Sequence, residues 1–323
     1  MFWRQKEGKL MGKKDLDIWK MLSDLKNDNT AGASELIFKV LDIMRRQLNL
    51  IEDPNENIEE KIIELIRKII NSRSSMAPLI NTVGYILHNS ELLNKIAIKA
   101  SINKFEKDWI ERNKALEKNF QKFLNLYAKS HFKLMLISYS STIVNLLIKF
   151  NNYNLELYVL ESRPLFEGRR TAEILSQYFK THLVVDAAIG KFIDQIDIVL
   201  IGVDSILKDG SIINKIGTYP LVLVANTNNK KVYAVCDSFK YNLRSHFGEP
   251  ILIEEKPSNE IYNKDIINNF LEVHNYYFDI TPSQYVSKII SNLGILSIED
   301  FLLKVQQDLP IEWFEYFIHN KKV

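Results

Sequence analysis

The chain has 323 residues, of which 46% are hydrophobic and 25% charged, with a net charge of +2. That length can bury a large core and suits two domains, while the near-neutral balance excludes the electrostatic footprint of a direct nucleic-acid binder. One cysteine, Cys236, excludes an internal disulfide framework and a thiolate zinc cluster, and none of the six histidines stands at metal-ligand spacing.

In chain order, the first 130 residues or so carry helical periodicity. The stretch SELIFKVLDIMRRQL repeats Leu36, Val40 and Met44 at helical spacing. After a loop containing Pro54, IEEKIIELIRKII places Ile58, Ile62, Leu65, Ile66 and Ile69 on one stripe. The polar stretch SINKFEKDWIERNKALEKNFQKFLNLY keeps Phe105, Trp109, Leu116, Phe120 and Leu124 on a narrow face, as in a long amphipathic helix bridging two domains. The opening residues lack the apolar run of a signal peptide, and no stretch approaches the ~18 apolar residues of a membrane span. A cytoplasmic soluble protein with no membrane partner is therefore expected.

After Ser130 the texture changes. Short apolar runs appear (FKLMLIS, LELYVL, HLVV, IDIVLIG, PLVLVAN and KVYAVCD), read here as strands, and they alternate with helical stretches such as TIVNLLIKF and RRTAEILSQYFK. Continuous apolarity suits strands buried on both faces, and the alternation predicts a largely parallel sheet with right-handed crossovers. The expected fold is α/β: a helical domain over residues 1–128, then a Rossmann-like domain over 129–323. No GxGxxG follows the first strand and no GxxxxGK[ST] occurs, so no dinucleotide cofactor or P-loop nucleotide is expected.

Polar clusters end the apolar runs: SYSST (Ser138 to Thr142), ESRP with Glu161 and Arg163, Asp186, Asp204, and CDSFK with Asp237 and Lys240. In a doubly wound sheet these ends converge on the carboxyl edge, where ligands bind. Each also has a structural explanation: Ser138 to Thr142 as a helix N-cap, Asp186 as a cap for AAIGKFI, Arg163 as a loop tie, Lys240 as a solvated charge.

Four stretches, ESRPLFEGRRTAEIL, VVDAAIG, IDIVLIGVDSILKDGSIINKIGT and VCDSFK, follow one another in an order and spacing that resembles the initiation factor 2B alpha/beta/delta family. That family also contains ribose 1,5-bisphosphate isomerase and methylthioribose 1-phosphate isomerase. FDITPSQYVSKIISNLGIL is similar to its closing segment, and AGASEL and RSSMAPL to loops of its helical half.

The resemblance implies a cleft between the two domains for a phosphorylated sugar or nucleoside monophosphate, and no cofactor or metal. Carried over, Gly32, Ala33 and Ser34 line a phosphate loop, and Arg73 supplies positive charge. Arg163, Asn214, Lys215 and Lys240 complete the pocket, with Arg offering a bidentate fork. The family's isomerases carry a cysteine after the first strand of this half and an aspartate in a later motif. Here Ser140 stands at the cysteine position and Asp204 at the aspartate, while Cys236 matches a non-catalytic position. A serine without an adjacent histidine is a far poorer acid, base or nucleophile than a thiol. The expectation is an alpha-subunit-like regulatory homodimer, bearing on initiation factor 2, that binds its ligand without efficient turnover. The alternative is a sugar-phosphate isomerase, with Asp204 catalytic. The dimer is expected to form through the second half, aided by the aromatic tail IEWFEYFI.

Overall fold

The computed structural model describes residues 13–28, 32–51, 57–72, 76–90, 94–127, 131–262 and 271–314. Five helices come first: α1 (Lys13–Asn27), α2 (Ala33–Leu50), α3 (Ile58–Ser72), α4 (Ala77–His88) and α5 (Lys95–Asn125). In α3 the buried residues Ile62, Leu65, Ile66, Ile69 and Ile70 recur at three- and four-residue steps, so the helix buries one stripe and solvates the rest. Asn94 starts α5 by accepting hydrogen bonds from the N–H groups of Ile96 and Ala97, at 3.0 and 2.9 Å. With 31 residues, α5 is about 46 Å long.

The second half alternates strands and helices. In chain order it runs β1 (Phe132–Ile137), α6 (Ser141–Lys149), β2 (Leu155–Leu160), α7 (Glu167–Leu175), β3 (Lys180–Val184), α8 (Ile189–Phe192) and β4 (Ile198–Ile201). Then come β5 (Ser205–Ile206), β6 (Ile212–Lys215), α9 (Thr218–Thr227), β7 (Lys231–Val235), α10 (Leu243–His246), β8 (Phe278–Thr281), β9 (Lys288–Ser291), β10 (Gly294–Leu296) and α11 (Ile298–Asp308). The main sheet has seven strands in the order β10-β9-β7-β4-β1-β2-β3, parallel except for β10. The expected α/β architecture is the observed one. The chain runs outward from β1 through β2 to β3, then returns to β4 on the other side of β1 and continues outward. The strand order therefore reverses between β1 and β4, where an open α/β sheet leaves a crevice.

One expectation needs correction. The apolar run 220–226 is not a strand but the body of α9, which buries Leu221, Val222 and Ala225. Pro220 cannot donate to a sheet ladder, yet it fits the first turn of a helix, and a short apolar run does not by itself distinguish the two. Residues Ile212–Lys215 stand outside the parallel sheet. They form the centre of a separate antiparallel sheet, β5-β6-β8, beyond the end of β4.

One hydrophobic core runs from the helices into one face of the sheet. It holds Leu36, Val40, Ile66 and Ile102 together with Met135, Ile137, Val199 and Val232. The other face packs Leu134, Leu136, Leu157 and Leu200 against Leu116, Phe120, Phe123 and Leu124 of α5. The long helix thus gives its first half to one core and its second half to the other.

Candidate functional site

The crevice between β1 and β4 opens into a recess. The loop after β1 sets its floor. Ser138 adopts a left-handed backbone (φ 65°), held by its N–H donating to Ser162 Oγ (2.7 Å) and its carbonyl accepting from Thr171 Oγ1 (2.8 Å). A non-glycine residue there is strained by ~1 kcal/mol or more, so the neighbouring loop imposes the conformation. From this bend Tyr139, Ser140, Ser141 and Thr142 lead into α6, with Ser140 Oγ capping the N–H of Ile143 at 3.4 Å.

The opposite wall comes from the end of β4 and from β6. Gly202 allows the close approach: a Cβ there would lie 3.1 Å from Ser140 Cβ and 3.7 Å from Asn214 Oδ1. Asp204 follows, its N–H bonded to the carbonyl of Ile213 at 2.9 Å, and its carboxylate meets Lys240 Nζ at 3.9 Å. Asn214 is buried, and its amide donates to Thr218 Oγ1 at 3.0 Å. Gly32, at the start of α2, closes the mouth. A Cβ at Gly32 would sit 2.7 Å from Ser141 Oγ, so glycine lets the starts of α2 and α6 meet. Two helix N-termini therefore border one recess, an arrangement that favours an anion.

The recess has two lobes. The inner lobe, about 60 Å³, is lined by Ser138 to Thr142, Gly202, Asp204, Asn214 and Lys240. The outer lobe, about 340 Å³, lies against α5 and is lined by Glu35, Trp109, Asn113, Glu117, Tyr139 and Asn145 among others. Gly32, Ser34, Tyr139, Ser141 and Thr142 line both, so the helix starts form the junction.

Of the residues carried over from the resemblance, the structure brings together Gly32, Ser34, Ser140, Asp204, Asn214 and Lys240. Ala33 opens α2 beside them. Arg73 lies outside the described residues. Lys215 does not line the recess. Neighbouring strand residues face opposite ways, and Lys215 Nζ is buried against Glu167 Oε1 at 2.8 Å, over the Tyr277 ring. Arg163 is exposed, its guanidinium stacked on Phe166 at 4.9 Å. Asp186, expected to cap the helix that follows it, instead accepts from the N–H groups of Ser162 and Arg163, both at 2.8 Å, and so braces the loop after β2. Among the described residues, Lys240 is the one cation lining the recess.

Lys240 is buried, in a turn held from several elements. Asn81, a buried amide in α4, donates to the carbonyls of Phe239 and Tyr241, both at 2.7 Å. Arg112 of α5 donates to Ser238 Oγ at 2.7 Å and to Asp308, with its guanidinium over Phe239 at 5.0 Å. Asp237 caps the turn at the N–H of Phe239 (2.9 Å), and burial raises its carboxyl above the usual range. Burial likewise pushes the Cys236 thiol up, away from thiolate chemistry. Asn81 and Arg112 escaped the sequence reading. The signal for Asn81 was a lone amide inside the apolar helix APLINTVGYIL; a charged residue on a long polar helix carries none.

A family model described as the initiation factor 2 subunit family matches residues 29–298. Ribose 1,5-bisphosphate isomerase from Archaeoglobus fulgidus is 26% identical over 246 residues, 75% of this chain and 78% of that protein. A putative translation initiation factor eIF-2B subunit 2-like protein from Pyrococcus horikoshii is 26% identical over 285 residues, 86% of this chain and 96% of its own length. The crystal structure of the translation initiation factor eIF-2B from Pyrococcus horikoshii OT3 superposes with a TM-score of 0.74 at 25% identity, covering 87% of this chain and 97% of its own. Sequence motifs, strand order and the crevice agree with these likenesses, and the chain belongs to the initiation factor 2 subunit family.

Proposed function

We propose that this protein is an alpha-subunit-like regulatory member of the family that binds a phosphorylated sugar or nucleotide in the recess without efficient turnover. One observation carries the reading: the inner lobe has one half of an acid–base pair. Asp204 is a carboxylate near Lys240, but the position matching the isomerases' cysteine is Ser140, whose hydroxyl accepts the N–H of Ile143. Among the described residues no imidazole lines either lobe to activate that hydroxyl. The helix starts and Lys240 supply anion binding, while proton transfer lacks its second partner. As a regulatory subunit the protein would act as a cytoplasmic homodimer on initiation factor 2.

The second reading, a sugar-phosphate isomerase, is favoured by Asp204 and by the resemblance to proteins named ribose 1,5-bisphosphate isomerase. Incubation with ribose 1,5-bisphosphate, followed for the ketose product, separates the two. No product is expected from the unmodified protein, and Ser140→Cys should change ligand affinity alone. Robust turnover abolished by Asp204→Asn would establish the isomerase instead, through a positioned acid–base group worth ~10²-fold or more.

A further inference from the structure

The walls of the recess are short of positive charge. Lys240 Nζ lies 3.9 Å from the Asp204 carboxylate, so the one cation lining the recess among the described residues is offset by an acid that lines it too. The two helix starts contribute the equivalent of roughly half a positive charge each. A phosphate monoester carries about −1.5 to −2 near neutral pH, so roughly one further charge is needed. That charge must stand behind the walls.

Arg170 stands there. It precedes Thr171 on α7, and Thr171 Oγ1 bonds the carbonyl of Ser138 at 2.8 Å, so this turn of the helix is pinned to the floor of the recess. The Arg170 guanidinium covers the ring of Tyr139 at 4.0 Å, and Tyr139 lines both lobes. The other arginines of this region are engaged elsewhere. Arg169 is paired with Glu161 at 2.8 Å, and Arg163 stacks on Phe166, which lines neither lobe. Arg170 is exposed and has no carboxylate or hydrogen-bond partner among the described residues. The Tyr139 hydroxyl likewise makes no hydrogen bond among them. A guanidinium over a ring face is held by the ring's π-electrons, and a phenol can donate its O–H to an anion. Together they form a donor with positive charge directly behind it.

We infer that Tyr139 and Arg170 act as one anion-contact unit at the rim of the recess: the Tyr139 hydroxyl donates to the bound phosphate, while Arg170 holds the ring and supplies the charge that Asp204 offsets at Lys240. This rests on the proposed phosphate site and adds two residues that the resemblance does not carry over. It also divides their work. The hydroxyl acts at contact distance and the guanidinium across the thickness of a ring, so salt should screen the second and spare the first.

Titration calorimetry with inorganic phosphate and ribose 5-phosphate, at about 0.05 M and about 0.5 M salt, where the screening length falls from ~14 to ~4 Å, tests the unit. Tyr139→Phe keeps the stack and removes the hydroxyl. It should weaken both probes about tenfold at either salt, the scale of one hydrogen bond to a charged group. Arg170→Met keeps an apolar cover on the ring and removes the charge. It should weaken both probes about fivefold at low salt and less than about twofold at high salt. Arg170→Lys should restore most of the low-salt affinity, which a role in packing alone would not allow. Unchanged affinity in Tyr139→Phe and Arg170→Met, with the unmodified protein binding either probe, would overturn the inference and leave the phosphate site standing. So would an Arg170→Met loss that is equal at both salts and not restored by lysine. Failure of both probes to bind the unmodified protein would remove the phosphate site itself and this inference with it.

Discussion

At the scale of single residues, Asn81 is the position whose loss should be felt in two places. Its amide hydrogens serve the carbonyls on either side of Lys240, and it is 2% exposed. Asn81→Leu leaves both carbonyls without these donors in a region water cannot enter, at ~1–3 kcal/mol each. A urea-unfolding loss of about 2–6 kcal/mol is expected on that basis. Phosphate-ligand affinity should fall as well, because the turn carrying Lys240 loosens. An Asn81→Leu protein with unchanged urea midpoint and unchanged affinity would show that the clamp carries neither. Legibility at this scale was uneven. Asp204, Asn214, Ser140 and Lys240 could be found because apolar runs stop at them. Lys215 was expected in the same place because the resemblance carries it over together with Asn214, but adjacency in a strand means opposite faces.

At the scale of elements, the edge strand β3 is fastened to β2 by a cluster around Glu156. This buried carboxylate takes hydrogen bonds from His131 Nε2 (3.0 Å) and His182 Nε2 (2.8 Å), and an ion pair with Lys180 (3.0 Å). Burial alone would raise Glu156, but the hydrogen bonds from His131, Lys180 and His182 outweigh it and bring it from an ordinary 4.5 down to about 2. Between those values the unfolded chain binds the proton and the folded one does not. The contribution of Glu156 is thus complete above pH 4.5 and drains away as pH falls toward 2. Asp279 behaves oppositely. Burial raises it from 3.8 to about 6, against the N–H groups of Tyr219 and Gly217 that favour the carboxylate. Here the folded state holds the extra proton, so this contribution is present at low pH and is lost as pH rises through about 6. Chemical denaturation across pH should show Glu156→Gln flattening the acid limb and Asp279→Asn flattening the decline between pH 3.8 and about 6. Unaltered profiles in both variants would refute the assignment. The periodicity of α3 and α5 and the apolar runs of β1, β2, β4 and β7 made those elements readable. The sheet β5-β6-β8 was not, because strands of two to four residues leave no period to detect.

At the scale of the whole molecule, the change of texture near Ser130 is where helices give way to strands in space, and the α/β class was legible from it. The aromatic tail was less so. Trp313 and Phe314 are buried within the chain, Trp313 within 1.9 Å of where a Cβ on Gly84 would stand and Phe314 beside Phe247 at 5.8 Å. Tyr316 and Phe317 lie outside the described residues. Those two buried rings supply no dimer surface. The stronger support for a homodimer is edge strand β3 and the residue after it, which leave Leu183 at 52% and Val185 at 57% exposed, together with Leu303 on α11 at 67%. Light scattering at micromolar concentration should give twice the mass of 37.7 kDa, and Leu183→Lys with Val185→Lys should halve it. A monomer mass for the unmodified protein would remove the dimer.

The clamp on Lys240 also bears on how such a protein can be altered over generations. One wall of the recess begins at α2 and α5, the other at β1, β4, β6 and the turn after β7, and Asn81 of α4 and Arg112 of α5 fasten the turn that carries Lys240 from the helical half. The proposed binding function would therefore not be inherited with either half. A chimaera that joins the helices of one relative to the sheet of another receives two good scaffolds and a mismatched seam. Exchange of whole chains, or of Asn81 and Arg112 together with the turn they grip, keeps the seam intact.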